Sequence, residues 1–196
     1  MRGWKITIAA LVMLSIIAWV IFLPRYSKFI PDTSITVSSL SANDIQQIRQ
    51  NTPITEVQVF KAKREINLLH QNQTIRTYPI RLGFNPLGHK TQEGDGKTPE
   101  GRYVLDWRNP KSQFYKSLHI SYPNQADLAQ AKARGVSAGG DVMIHGSTNS
   151  ETAKLPKMME YLPQNDWTWG CVAVRNVDID EIWQLVDNGT AIEIFP

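Results

Sequence analysis

The sequence lacks the groups that mark several common protein classes. Its 196 residues contain one cysteine, Cys171. A single thiol excludes an internal disulfide and any zinc site built from several thiolates. His70, His89, His119 and His145 show neither HExxH nor any other close ligand spacing, so the sequence gives a metal site no support. Runs of lysine or arginine are absent too. A net charge of +3, small and dispersed, argues against nucleic acid as a partner. With 12 glycines and 11 prolines the chain is not of a disordered or fibrous kind, and it shows no internal repeat. One globular domain of ordinary size remains, preceded by an N-terminal segment.

That segment is the one long apolar run. Ile6 to Leu23 carries no charge and follows Arg2 and Lys5. About eighteen such residues just span a bilayer as a helix. The run ends in Leu23-Pro24-Arg25-Tyr26, without the small residues of a cleavage site, so residues 1–23 are expected to be an uncleaved transmembrane anchor. Residues 24–53 are rich in serine, threonine and other polar groups and read as a stalk, with Ser41 to Asp44 able to cap one short helix. Residues 54–196 form the domain.

Its local patterns are mainly β with a few helices, an α+β arrangement. Val57 and Val59 alternate with polar residues; Ile66 to His70 and Thr74 to Leu82 follow, joined by a turn at Gln71-Asn72-Gln73. Gly and Pro mark 83–101 as loop, before strands at Arg102 to Asp106 and Leu118 to Tyr122. Asn124 caps a helix that runs to Arg134, with Leu128 and Ala131 in its buried face. Asp141 to His145 is a strand, and the polar stretch from there to Trp167 is long enough for a flap, with one helical turn around Lys157 to Tyr161. A last helix is expected to begin at Asp178 with Glu181 completing a capping box, and to bury Ile179, Ile182, Trp183 and Val186. Ala191 to Phe195 closes the domain as a strand.

Chemistry concentrates at Trp167-Thr168-Trp169-Gly170-Cys171, with His145-Gly146 upstream. A thiol and an imidazole beside glycines are the parts of a nucleophile and its base. Amide N–H groups of Trp169, Gly170 and Cys171 can receive the oxyanion of a tetrahedral intermediate. His145 takes the thiol proton, and the imidazolium then holds the thiolate at neutral pH. No Asp or Asn nearby in sequence is a compelling partner for the imidazole, which leaves a backbone carbonyl, such as that of Gly146, as a candidate.

These residues resemble the H-G … [ST]-x-G-C signature of L,D-transpeptidases of the YkuD type. Leu82 to Lys90, Glu93 to Tyr103, His119 to Asn124 and Gly189 to Ile192 look like further blocks of that family, in the same order. The resemblance implies a β-sandwich catalytic domain acting on peptidoglycan stem peptides, here behind an N-terminal membrane helix in the bacterial inner membrane, with the domain in the periplasm. In the family the cysteine attacks the carbonyl of the third stem residue and releases the terminal D-alanine. The thioester then passes to an amine of another stem, to a lysine of an envelope protein, or to water, without a cofactor. Many members carry an arginine two residues after the cysteine, where this chain has Ala173. Arg175 is then either a ligand for a stem carboxylate or a solvated charge capping the next helix. His119 and Tyr122 are candidates for the donor site, and Thr168 for substrate binding. Alternatives on the same scaffold are an L,D-carboxypeptidase, an enzyme that detaches proteins from the wall, and an inactive domain that binds wall peptides. Oligomeric state is not legible.

Overall fold

The structure is a computed structural model that describes residues 12–13, 30–147 and 159–196. Among these, helices α1 (Ala42–Asn51), α2 (Gln125–Ala133) and α3 (Asn176–Leu185) accompany eight strands. The strands are β1 (Glu56–Phe60), β2 (Glu65–His70), β3 (Gln73–Pro79), β4 (Gly101–Ser112), β5 (Tyr115–Ile120), β6 (Met143–His145), β7 (Val172–Ala173) and β8 (Thr190–Phe195). They form one sheet in the order β3-β2-β1-β8-β4-β5-β6-β7.

Alternation sets the register. Val57 and Val59 on β1 lie opposite Leu68 and Ile66 on β2, and opposite Ile192 and Ile194 on β8. All six are buried, so a row of apolar cross-strand neighbours runs across three strands. Each such side chain contributes about 1.5–3 kcal/mol on leaving water, and a register slip of one residue would expose them all. At the β2–β3 turn Gln71 and Asn72 have φ of 46° and 69°, the left-handed pair that a tight hairpin requires.

The expected sandwich takes the form of one bent sheet. Strand β4 pairs with β8 through Gly101 to Leu105 and with β5 from Leu105 to Ser112. Its register shifts between Leu105 and Arg108, and again between Asn109 and Ser112. Such irregularities let one strand turn a corner and serve both halves. The bend brings the two edges together: Arg81, just beyond edge strand β3, bridges to Ala173 of edge strand β7. The site therefore lies where the sheet closes on itself.

Several local expectations need correction. Residues 30–53 do not stand away from the domain as a stalk. Asp32 pairs with Arg81, the Ser38 carbonyl accepts from Arg76, the Leu40 N–H donates to Glu181, and Ile45 enters the core. The Ser41 cap of α1 forms, with Asp44 completing the capping box. In α2, capped by Asn124, Ala131 is buried, but Leu128 is exposed and Asp127 takes the inward position, accepting from the Tyr103 hydroxyl. The Asp178–Glu181 box of α3 does not form. The helix begins at Asn176, because Asp178 is taken by the Arg175 guanidinium and Glu181 by Leu40, Arg76 and Tyr78. A buried carboxylate gains more from a cation than from a backbone cap.

No helix among the described residues is long and apolar enough to cross a membrane. The anchor expected over residues 1–23 lies outside them apart from Val12 and Met13, and most of the expected flap, residues 148–158, also lies outside.

Candidate active site

The loop carrying Cys171 is pinned from several directions. Trp167 and Thr168 N–H groups donate to the Leu82 carbonyl, and the Phe84 N–H donates to Thr168. Asp166 accepts from the Leu82 N–H and from Arg64. Thr168 then shapes the last turn: its hydroxyl donates to the Cys171 carbonyl at 2.7 Å and accepts the Gly170 N–H at 3.1 Å. Gly170 has φ of +136°, and a Cβ there would lie 2.6 Å from the Lys97 carbonyl oxygen, so only glycine fits.

Two consequences follow for the oxyanion donors. The Gly170 N–H, expected to be one, is spent on Thr168. Among the described residues the N–H groups of Trp169 and Cys171 have no acceptor. Those two remain available to a developing negative charge.

Cys171 precedes β7, which runs parallel to β6 with Ile144 opposite Val172 and His145 opposite Ala173. Extending that register places Cys171 opposite Met143. Cys171 and His145 thus project from the same face as diagonal neighbours. The Met143 N–H donates to Sγ at 3.4 Å, and Sγ faces the Asp141 carbonyl at 3.7 Å. Asp141 has φ of 53°, a left-handed conformation in a residue other than glycine, at the rim of the site.

His145 is buried, stacked on Phe114 at 4.7 Å with the edge of Trp167 at 5.7 Å. Its Nδ1 lies 2.6 Å from the Gly146 carbonyl oxygen. A carbonyl only accepts, so Nδ1 carries the proton and Nε2 keeps its lone pair. A Cβ on Gly146 would lie 2.5 Å from Asn176 Oδ1, so the glycine allows this close packing against α3.

Electrostatically the pair differs from a preformed ion pair. Burial pulls His145 down to about 4, against the bond to Gly146. Burial pushes the Cys171 thiol up, although the Met143 N–H and the nearby Lys90 charge oppose this. Desolvation outweighs both favourable contacts, so at neutral pH the resting groups are thiol and neutral imidazole, not the thiolate and imidazolium expected from residue types alone.

Comparison with known proteins gives the family of the domain. The sequence model of the L,D-transpeptidase catalytic domain, YkuD, matches residues 54–194. The chain belongs to this family. YafK of Escherichia coli (strain K12) is 34% identical over 137 residues, which are 66% of this chain and 46% of YafK. The chain thus spans about half the length of the curated relatives it matches. Among solved structures, Bdellovibrio bacteriovorus Bd1075 is 27% identical with a TM-score of 0.52, over 74% of this chain and 49% of that one. Pgp2 of Campylobacter jejuni, a helical cell shape determining protein, shares the fold at 22% identity and TM-score 0.55, over 74% of this chain and 48% of Pgp2.

The candidate site opens into a cleft of about 330 Å³ lined by Lys90, Glu93, Gly139, Asp141, Trp169 and Cys171, among others. None of the four expected substrate ligands lines it. Arg175 is neither a cleft residue nor a solvated cap: it is 3% exposed, bonded to Asp178 at 2.6 and 2.7 Å and to the Val37 carbonyl. Tyr122 is buried and donates to the Ala138 carbonyl, supporting the wall of the cleft from behind. His119 shares a face with Cys171 through Met143, two strands away, and binds Asp106 at 2.6 Å while stacking on Trp107. Thr168 is buried and shapes the loop. The residue that sequence reasoning missed is Lys90. A lysine in a Gly- and Pro-rich loop gives no local signal of burial; only the fold turns it inward.

Proposed function

We propose that this domain is a cysteine acyltransferase of peptidoglycan stem peptides. The observation that supports the reading best is the placement on one face of a thiol and an imidazole whose Nδ1 is held by a carbonyl, with two amide N–H groups of the cysteine loop that have no acceptor among the described residues. The thiol proton passes to His145 Nε2 as Sγ attacks the carbonyl carbon before the terminal D-alanine. The oxyanion is received by the N–H groups of Cys171 and Trp169. Collapse of the intermediate breaks the C–N bond, and the imidazolium returns its proton to the departing amine of D-alanine. The thioester is then attacked by an amine of a second stem: His145 takes the amine proton, the C–S bond breaks, and the proton returns to Sγ. Because both groups start neutral, the proton moves during the attack and not before it.

Incubating the protein with a purified tetrapeptide muropeptide and reading the products by mass spectrometry tests this. A crosslinked dimer with released D-alanine is the expected result. A tripeptide without dimer means transfer to water and an L,D-carboxypeptidase. An unchanged muropeptide overturns the reading.

The uncharged run from Ile6 to Leu23 supports an inner-membrane anchor, and a peptidoglycan substrate supports a domain on the periplasmic side. Recovery of the full chain in a salt-washed soluble fraction would overturn this placement.

A further inference from the structure

The cleft beside Cys171 contains a buried cation. Lys90 is 4% exposed; its Nζ donates to Asp95 Oδ1 at 3.0 Å and to the Gln92 carbonyl at 3.1 Å. An ammonium has three N–H donors. Two are taken, and no described residue accepts the third. Lys90 lines the cleft together with Gly170 and Cys171, and its Nζ lies 3.9 Å from where a Cβ on Gly170 would be.

Fixing the loop does not require this lysine. Asp95 already accepts N–H groups from Thr91, Gln92 and Lys97 at 2.8 to 3.2 Å. Burial opposes the Asp95 charge, yet these bonds and Lys90 hold its carboxyl below the usual carboxylate range. The lysine is therefore anchored by a lasting anion on one side and offers a charged donor to the cleft on the other. Glu93 and Asp141 also line the cleft. Mixed charge of this kind disfavours a polyanion and suits a single carboxylate placed at one point.

We propose that Lys90 binds the free carboxylate of the substrate's C-terminal residue, next to the bond that Cys171 attacks, and thereby selects stems that end one residue beyond that bond. This rests on the acyl-transfer reading. The position fits: Lys90 lies against Gly170, the residue before the nucleophile, and consecutive Cα atoms are about 3.8 Å apart, so a carboxylate one residue from the scissile carbonyl stays within reach. A longer stem presents a neutral amide at this point and brings no negative charge to the third N–H of the ammonium.

The test compares a tetrapeptide muropeptide as free acid and as C-terminal amide, using the full chain. Wild type is expected to prefer the acid by roughly ten- to a hundredfold in kcat/KM, the range for a hydrogen bond to a charged group. Lys90→Met is expected to bring the acid down towards the level of the amide, chiefly through KM; Lys90→Arg restores part of the preference. Should Lys90→Met fail to fold with Asp95 unpaired, the Lys90→Met/Asp95→Asn double variant removes both charges. Equal use of acid and amide by wild type, or equal loss on both in the variant, overturns the proposal. Calorimetric binding of both peptides to Cys171→Ala separates the two readings. Tighter binding of the acid without turnover by wild type keeps the role of Lys90 and sinks acyl transfer, whereas equal binding sinks the role of Lys90.

Discussion

Trp169 is 72% exposed and Arg175, six positions later, is 3% exposed. Up to Cys171 the chain is a loop whose amides at Trp169 and Cys171 have no acceptor among the described residues, held in shape from outside by Leu82 and from inside by Thr168. After it, Val172, Ala173 and Val174 are fully buried, and Arg175 and Asp178 neutralise each other below the surface. The difference teaches that reach into a site is not a matter of sequence distance. Arg175 is close to the thiol along the chain, yet its guanidinium serves the start of α3. Lys90 is far away along the chain and lines the cleft.

The sharpest way to break this contrast is Cys171→Ala. Turnover of the muropeptide is expected to fall by about 10⁴-fold or more, as when a nucleophile is removed, while the thermal midpoint stays near that of wild type. On the buried side the outcome reverses. Arg175→Met leaves Asp178 as an uncompensated buried charge and is expected to cost about 3–5 kcal/mol in urea unfolding, with the folded fraction keeping turnover within a few-fold. A large loss of kcat without loss of stability would return Arg175 to the site.

Acid probes the boundary between the two sides. His145 binds its proton less readily when folded, at about 4, than the ordinary 6.5 of an unfolded chain. The unfolded state therefore takes up more protons as pH falls, and stability that is fully present above 6.5 is lost between 6.5 and about 4. The full loss is about 3 kcal/mol, and it is expected to disappear from the pH dependence of urea unfolding in His145→Gln. Smaller again is Thr168→Val, which strips the acceptor from the Gly170 N–H and the donor from the Cys171 carbonyl. About 1–2 kcal/mol of stability and roughly tenfold in kcat are the expected losses. Trp169→Ala is expected to change stability by no more than about 0.5 kcal/mol, as for an exposed side chain, in a thermal melt.

Much of the fold was legible because the strands are half-buried and period two is visible. Val57, Val59, Ile66, Leu68, Ile192 and Ile194 declare their face without help. Caps supplied by one local side chain, at Ser41 and Asn124, were legible for the same reason. The cap at α3 was not, since Asp178 and Glu181 answer to Arg175, Arg76, Tyr78 and Leu40, most of them distant in sequence. Polar composition likewise suggested a free stalk in residues whose polar groups bind Arg76, Arg81 and Glu181 of the domain.

By itself the sequence determined the family, the identities of Cys171 and His145, and the alternating strands, because each of these is carried by residue types at short spacing. Only the tertiary structure decided which amides of the cysteine loop keep no acceptor among the described residues, that thiol and imidazole rest neutral, that Arg175 is withdrawn and that Lys90 lines the cleft. Those properties depend on desolvation and on hydrogen-bond partners drawn from other parts of the chain, and neither exists until the sheet has bent and brought its two edges together.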